Sequence, residues 1–254
     1  MSGSSAGQQA LPTGLGPSTH FPAPASDVAT KQDGPGKMQS HVTLAAASGL
    51  FGVATYLAAT ALGGLLHPGY SHVRDAISEL TASQAAHRGV LGVLYVAYNL
   101  LLVAFAWQLS RAWPASRLLR VTFALVVVVS AAGIAPVTAF PQDSTGTPAT
   151  RAGAAHIALA ALSALLCVVT AVIYGIAFRK MYLPRSVWLP AFAVAALLLV
   201  MGPIAAVNIG GPRMGLFERF TIGAYLVWVA LTSLLLARYA SNRLSRHTSV
   251  MASH

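Results

Sequence analysis

Six long apolar stretches alternate with short polar segments along the chain. They cover about residues 44–66, 90–110, 118–140, 154–178, 187–207 and 220–238. Each reaches the roughly 20 residues that an α-helix needs to cross the hydrocarbon layer. Backbone groups in lipid must bond within their own segment, and the stretches lack the period-2 alternation of a membrane β-barrel. The pattern therefore predicts an all-α polytopic membrane protein, a bundle of six transmembrane helices.

The two ends of the chain differ from this apolar region. Residues 1–43 are rich in Gly, Pro, Ser, Ala and Gln, a composition typical of disordered segments. No basic segment followed by a short apolar run marks a secretory signal there. We therefore predict a disordered tail over 1–43, a six-helix membrane domain over 44–240 and a polar C-terminal tail over 241–254.

Charge is distributed unequally between the two sides of the predicted bundle. Eleven of the 16 Lys and Arg residues lie in the tails and in the second and fourth connections. The positive-inside rule places that side in the cytoplasm, so both termini are predicted to be cytoplasmic in a cell-membrane protein. The charges flank apolar segments without interleaved aromatic runs. The net charge of +10 is therefore expected to reflect topology and attraction to anionic lipids, not nucleic-acid binding.

The acidic residues of the membrane domain all lie in the connections predicted to face outward. Asp75 and Glu79 are in the first connection, Asp143 is in the third, and Glu218 is in the fifth. We therefore expect binding or catalytic chemistry, if the protein has it, on this side.

The first connection has the pattern of a short helix. Ser71 can cap a helix that begins near His72, and Val73, Ile77 and Leu80 would share its apolar face. We predict a short interfacial helix across the mouth of the bundle. Asp75 and Glu79 would lie one turn apart and repel each other, so they need a cation, a metal or a shared proton. Five outward arginines could supply the cation: Arg74, Arg88, Arg151, Arg213 and Arg219.

Polar residues of the three outward connections form our candidate cluster, with a ligand-binding or structural role. They are His72, Arg74, Asp75, Ser78, Glu79, Asp143, His156, Arg213, Glu218 and Arg219. His156 lies about one turn into the membrane, where ionisable side chains are costly and by default functional. Glu218 lies in the first turn of the last helix, where the helix dipole favours a carboxylate. With Arg219 it could lock that helix to the first connection.

The residues that could contribute to a metal site at this end are His67, Asp143 and His156. Zinc needs three or four converging ligands, and the chain has no HExxH or HxxxH spacing. We therefore assign no metal, and no cofactor can be named. A Walker loop and a dinucleotide fingerprint are also absent from the sequence, and the predicted membrane domain contains no GxSxG elbow.

Three motifs resemble domain-of-unknown-function family 998. They are Gly69-Tyr-Ser-His-Val-Arg-Asp-Ala-Ile-Ser-Glu-Leu80, Phe140-Pro-Gln-Asp143 followed by a His that enters the fourth helix, and Gly215-Leu-Phe-Glu-Arg-Phe before the last helix. The resemblance covers about residues 42–240. It implies a bacterial or archaeal six-helix membrane protein and no established activity.

Three functions remain open at this point. Polar groups concentrated at one interface of an apolar bundle favour a module that binds a lipid or amphiphile at the outer leaflet, with membrane lipids as its partners. One alternative is a metal-dependent intramembrane lipid hydrolase that uses His156, Asp143, Asp75 and Glu79. A small-solute transporter is the other, although few charges lie at the membrane centre. We predict that Tyr98, Asn99 and Gln108 form interhelical hydrogen bonds.

Overall fold

The computed structural model describes residues 35–144 and 146–251. Over these residues it contains six α-helices and one short 3-10 helix. In chain order they are α1 (Pro35–Leu66), the 3-10 helix (Ile77–Thr81), α2 (Arg88–Ala112), α3 (Arg117–Thr138), α4 (Arg151–Lys180), α5 (Arg185–Val207) and α6 (Met214–Met251). All six α-helices are long and apolar enough to cross a membrane. The predicted all-α membrane fold is confirmed.

The first and last helices extend beyond the predicted apolar stretches. α1 begins at Pro35, inside the segment that composition assigned to the tail. These extra turns bury side chains: Val42 is 1% exposed, and Met38 packs against the core. At the other end, α6 continues to Met251, through the segment assigned to the C-terminal tail. The rest of the predicted N-terminal tail lies outside the described residues.

The six α-helices form a closed ring. Each packs against its neighbours in the chain, and α6 returns to pack against α1. The second and fourth connections, residues 113–116 and 181–184, are short turns, so the helices they join run antiparallel. The first, third and fifth connections therefore meet at one end of the ring, which we call the acidic end.

Close approach between helices depends on glycines in α1 and α3. A Cβ on Gly49 of α1 would lie 2.2 Å from Ser233 Oγ of α6, and a Cβ on Gly133 of α3 would lie 2.8 Å from Asn99 Oδ1 of α2. Small residues at such contacts let helix backbones approach within a membrane, where packing drives association.

Aromatic side chains fill the centre of the ring. Tyr56 packs against Tyr95 and Tyr98, with ring centroids 5.1 and 4.8 Å apart. Farther along, Trp228 packs against Tyr174, with centroids 5.5 Å apart. The hydroxyl of Tyr174 and Nε1 of Trp228 are buried with no hydrogen-bond partner among the described residues. The centre of the bundle is thus aromatic and tightly packed, yet it contains polar atoms.

The three predicted interhelical hydrogen bonds have different outcomes. Gln108 Oε1 accepts a hydrogen bond from His41 Nδ1 of α1 at 2.6 Å, as predicted. The side-chain amide of Asn99 donates within α2, to the carbonyl of Tyr95 at 2.8 Å. The interhelical bond of Asn99 is made by its backbone carbonyl, which accepts from the Ser130 hydroxyl of α3 at 3.2 Å. Tyr98 contributes the ring contact with Tyr56.

Candidate functional site

The first connection, residues 67–87, lies across the acidic end of the ring. It contains a short helix, but this is the 3-10 helix Ile77–Thr81 and not an α-helix that begins near His72. Ile77 and Leu80 are buried, whereas Val73 is 50% exposed. Residues before Ile77 form a turn, in which the N–H of Asp75 donates to the carbonyl of Ser71 at 2.7 Å.

Contacts with α6 explain why an α-helix does not form there. The carbonyls of Val73 and Arg74 accept hydrogen bonds from the N–H groups of Leu216 and Gly215, at 2.9 and 3.2 Å. These N–H groups belong to the first turn of α6, where no partner exists within the helix. The same carbonyls would otherwise accept the N–H groups four residues later, so tertiary bonding replaces the α-helical pattern.

Glu218 completes a reciprocal arrangement between α6 and the first connection. Its carboxylate accepts the backbone N–H of Ile77, the first residue of the 3-10 helix. The residue before that helix, Ala76, has no side chain that could cap it. The first connection therefore caps α6 through its carbonyls, and α6 caps the 3-10 helix through Glu218.

Arg219 fastens the same two elements with three hydrogen bonds and makes a fourth within α6. Nη1 donates to the carbonyls of Asp75 and Gly215, at 3.1 and 2.9 Å. Nη2 donates to the hydroxyl of Tyr70 at 2.6 Å and lies 3.0 Å from Nδ1 of His72. Since a guanidinium can only donate, Nδ1 accepts and the ring proton is on Nε2. The guanidinium also lies over the Tyr70 ring, 5.6 Å from its centroid.

Tyr70 is a central residue of this arrangement that sequence reasoning did not single out. Its hydroxyl accepts from Arg219 and donates to the carbonyl of Ala76 at 2.9 Å. Burial raises the pKa of Tyr70 to about 12, although the hydrogen bond from Arg219 opposes the shift. The residue lies inside the first of the three motifs, so its position in that motif was the available signal.

Gly215 was also not singled out, and it is required by the closeness of the two elements. A Cβ at this position would lie 2.2 Å from the carbonyl oxygen of Asp75 and 2.7 Å from Nη1 of Arg219. Only a residue without a side chain lets α6 approach the first connection this closely.

Asp75 pairs with its neighbour Arg74. Arg74 Nε and Nη2 donate to Asp75 Oδ1 and Oδ2 at 2.6 and 2.8 Å, a bidentate pair. The Ser71 N–H also donates to Oδ2 at 2.8 Å. The hydrogen bond from Arg74 lowers the pKa of Asp75, while partial burial opposes the shift. Arg74 thus supplies the cation for Asp75, whereas Arg219 bonds to neutral acceptors.

The third connection joins the first through Gln142. Gln142 Oε1 accepts from the Ser78 hydroxyl, and Gln142 Nε2 donates to Glu79 Oε1 at 3.3 Å. The Gln142 carbonyl accepts from the Ser83 N–H at 3.0 Å. The first connection therefore bonds both to the third connection and to the start of α6.

Asp143 and His156 form a separate group at the start of α4. The Asp143 carboxylate accepts from the Thr150 N–H at 2.8 Å and from its hydroxyl at 2.6 Å. These hydrogen bonds lower the pKa of Asp143. Thr150 in turn caps α4 by accepting from the Gly153 N–H at 3.1 Å. His156 is buried, and its Nδ1 lies 3.0 Å from the Phe140 carbonyl.

The candidate residues thus fall into two groups and one outlier. His72, Arg74, Asp75, Glu218 and Arg219 join the first connection to α6, with Ser78 and Glu79 on its side toward Gln142. Asp143 and His156 hold the start of α4. Arg213 is exposed, and its carbonyl accepts from the N–H of Phe217. Within the part of the chain that the structure describes, no three His, Cys, Asp or Glu side chains converge as metal ligands.

A groove of about 180 Å³ opens beside the first group, between α1, the first connection and α2. Leu66, Leu80 and Leu91 contribute apolar walls. Three polar side chains also line it: His67, Gln84 and His87. A surface with apolar walls and a few polar groups is typical of small-molecule sites. Sequence reasoning missed this groove because its residues come from three separate elements.

Comparison with known proteins identifies the family. The family described as "Protein of unknown function (DUF998)" matches residues 50–235, from within α1 to within α6. No curated protein and no solved structure matches the chain. The resemblance seen in the three motifs is therefore confirmed, and the chain belongs to the DUF998 family.

Proposed function

We propose that this membrane protein binds a lipid or other amphiphile at the outer leaflet, in the groove between α1, the first connection and α2. The observation that carries the proposal is the composition of that groove. Apolar walls from Leu66, Leu80 and Leu91 lie beside His67, Gln84 and His87. An amphiphile presents the same combination, an apolar chain joined to a group that forms hydrogen bonds.

The size of the groove suits part of such a molecule. Sites that enclose a drug-sized ligand measure roughly 300–1,000 Å³, and this groove measures about 180 Å³. A headgroup region or the end of a chain would fit, with the rest of the molecule in the surrounding bilayer. The imidazoles and the amide can each donate and accept hydrogen bonds, which suits a hydroxyl, carbonyl or phosphate group.

The bonds made by Glu218 and Arg219 hold in place one of the elements that line the groove. They hold the first connection against α6, and that connection supplies Leu80 as a wall of the groove. Leu80 packs so closely on α1 that a Cβ on Gly63 would lie 2.7 Å from its Cδ1. We assign these polar residues the role of a latch that positions the groove.

The proposed orientation places the acidic end outside and both termini in the cytoplasm of a cell-membrane protein. Its support is the excess of Lys and Arg at the opposite end, because translocation disfavours cationic connections. The four acidic residues of the membrane domain lie at the acidic end.

Binding is better supported than the two alternatives. Asp143 is committed to Thr150, and His156 is engaged with the Phe140 carbonyl, which leaves the hydrolase without a convergent donor set among the described residues. Packed aromatic rings such as Tyr56, Tyr98 and Trp228 fill the centre of the ring, which leaves the groove as the better location for a ligand.

Photocrosslinking tests the proposal directly. The full chain would be placed in vesicles that contain a diazirine-bearing phosphatidylethanolamine, and labelled peptides would be identified after irradiation. Labelling should concentrate on residues 63–68 and 80–91. Ala86→Trp should reduce it several-fold, because Ala86 is an exposed residue of the groove lining.

Val90→Trp is the matched control. Val90 is 61% exposed and lies one turn farther along the chain, outside the groove lining. The same bulky residue there should leave labelling unchanged. Labelling spread evenly over all lipid-facing helices, or equal labelling of the Ala86→Trp variant and the wild type, would overturn the proposal.

A further inference from the structure

We propose a second lipid site at the opposite end of the bundle, where the α4–α5 hairpin binds an anionic phospholipid of the other leaflet. A groove of about 320 Å³ lies there. It is lined by Ile176, Arg179, Lys180, Tyr182 and Phe192. This site is separate from the outer groove in position and in chemistry.

The groove results from how α4 and α5 meet. A Cβ on Gly175 would lie 2.8 Å from Cζ of Phe192, so the missing side chain lets the ring lie against α4. Leu183 is buried at 4% exposure and anchors the turn between the helices. The preceding residue, Tyr182, has a φ of 55°, which is uncommon for a residue other than glycine. Its side chain is 95% exposed.

The lining is arranged by polarity along the membrane normal. Ile176 and Phe192 lie toward the bilayer centre, where acyl chains run. Arg179 and Lys180 are exposed in the last turn of α4, at the level of lipid headgroups, and the Tyr182 phenol lies just beyond them. A guanidinium can bind a phosphate in a bidentate manner, and an ammonium adds a point charge.

A neighbouring ring holds Arg179 in place. Cζ of Arg179 lies 5.8 Å from the centroid of the Trp188 ring, a cation–π contact. Trp188 and Tyr182 are also the residue types that membrane proteins place at the interface. The guanidinium is therefore positioned at headgroup depth before a lipid arrives.

Charge complementarity identifies the ligand as anionic. The acidic residues that the structure describes, Asp75, Glu79, Asp143 and Glu218, belong to the opposite end of the ring. A phosphate in this groove would therefore meet cations without a competing carboxylate from those residues. The apolar wall favours a phosphate that carries acyl chains over a soluble anion.

Native mass spectrometry of the full chain tests this inference. The protein would be exposed to an equimolar mixture of phosphatidylglycerol and phosphatidylcholine, and the retained lipids would be counted. The wild type should retain phosphatidylglycerol preferentially. Arg179→Gln combined with Lys180→Gln should lower that retention by at least about tenfold, because each cation near an anionic headgroup contributes to affinity. Phosphatidylcholine retention should not change.

The start of α3 provides a matched control. Arg117→Gln with Arg120→Gln removes the same charge from the same side of the bundle, but neither residue lines the groove. Retention should then stay at the wild-type level. Equal loss in both double variants would show diffuse charge attraction and overturn the proposal. Displacement of phosphatidylglycerol by inorganic phosphate alone would overturn the assignment to a lipid.

A variant that keeps every charge gives an independent check. Ile176→Trp places a bulky ring on the apolar wall, where the native side chain is 36% exposed. It should lower phosphatidylglycerol retention without a change in net charge. Unchanged retention in this variant would contradict a site within the groove. Val90→Trp, at the other end of the bundle and outside both grooves, should leave this retention intact.

Discussion

The carboxylate of Glu218 accepts the backbone N–H of Ile77, a residue 141 positions earlier in the chain. Glu218 lies just after the first turn of α6, not within it as the sequence predicts, and the bond crosses from there to the start of the 3-10 helix. In return, the carbonyls of Val73 and Arg74 accept the first N–H groups of α6. Each element thus satisfies backbone groups that the other cannot satisfy alone. Their folding is therefore coupled.

Replacement of Glu218 should test this coupling. Glu218→Ala leaves the partly buried N–H of Ile77 without its acceptor, which typically costs about 1–3 kcal/mol. Glu218→Gln keeps an oxygen that can accept this hydrogen bond, so this variant should lose less stability than Glu218→Ala. The free energy of unfolding in mixed micelles measures both. Equal stability of the alanine variant and the wild type would show that the bond contributes nothing.

Gly215→Ala should weaken the same contact by a steric route. The new Cβ would lie 2.2 Å from the carbonyl oxygen of Asp75, so the first connection must shift. Forced overpacking of this kind costs about 1–3 kcal/mol. The variant should unfold at a lower temperature, and a protease should cleave its first connection faster.

Gly223→Ala is the control for that change. Gly223 lies two turns along α6, and a Cβ there would meet no atom within 4 Å. Alanine is favoured over glycine in helices by about 1 kcal/mol, so this variant should be equal to or more stable than the wild type. If both variants behaved alike, the short distance at Gly215 would not matter for stability.

The number and type of helices could be predicted because the membrane imposes a simple length requirement. Runs such as 187–207 are apolar for the whole thickness of the hydrocarbon layer, and no packing detail alters that. The start of α1 could not be predicted in the same way. Residues 35–43 are mostly polar, and they are helical because Met38 and Val42 find partners on other helices.

The local structure of the first connection could not be predicted from its own pattern. The spacing of Val73, Ile77 and Leu80 favours an α-helix, but α6 takes the Val73 carbonyl and Glu218 takes the Ile77 N–H. Tertiary hydrogen bonds thus override local propensity. Charged residues were readily identified as candidates. Tyr70 and Gly215 were not, because a phenol and a missing side chain gain importance only from what surrounds them.

Alkaline pH should weaken the contact that Tyr70 makes. Its pKa is raised from 10.0 to about 12 because burial favours the neutral phenol. A group whose pKa is raised by folding contributes its full stability at pH values below its pKa in the unfolded protein. That contribution is lost as pH rises through its pKa in the folded protein. The wild type should therefore lose stability between pH 10 and about pH 12.

Tyr70→Phe isolates this effect from that of the other tyrosines. The variant should be less stable than the wild type at neutral pH, because it lacks the bonds to Arg219 and Ala76. Its further loss from pH 10 to 12 should be smaller, so the two stability curves should converge. Parallel curves over this range would contradict a role for the neutral phenol.

The pair that Asp75 makes should weaken as pH falls, whereas the contact of Tyr70 weakens as pH rises. The hydrogen bond from Arg74 holds its pKa below the ordinary value of 3.8. A group whose pKa is lowered by folding contributes stability at pH values above its pKa in the unfolded protein. That contribution is lost as pH falls through its pKa in the folded protein. The effect should be small because Arg74 is exposed and water screens the pair. Unfolding midpoints of the wild type and Asp75→Asn should approach each other below pH 3.8.

Cysteine labelling should decide the orientation of the ring. Cys167 is the single cysteine of the chain, so Cys167→Ser gives a background without thiols. Arg213 is exposed in the fifth connection, and Tyr182 is 95% exposed in the fourth. With the acidic end outside, a membrane-impermeant maleimide added to intact cells should label Arg213→Cys. It should reach Tyr182→Cys only after the membrane is opened. The reverse result would invert the proposed topology, and it would place the anionic-lipid groove of the α4–α5 hairpin in the outer leaflet.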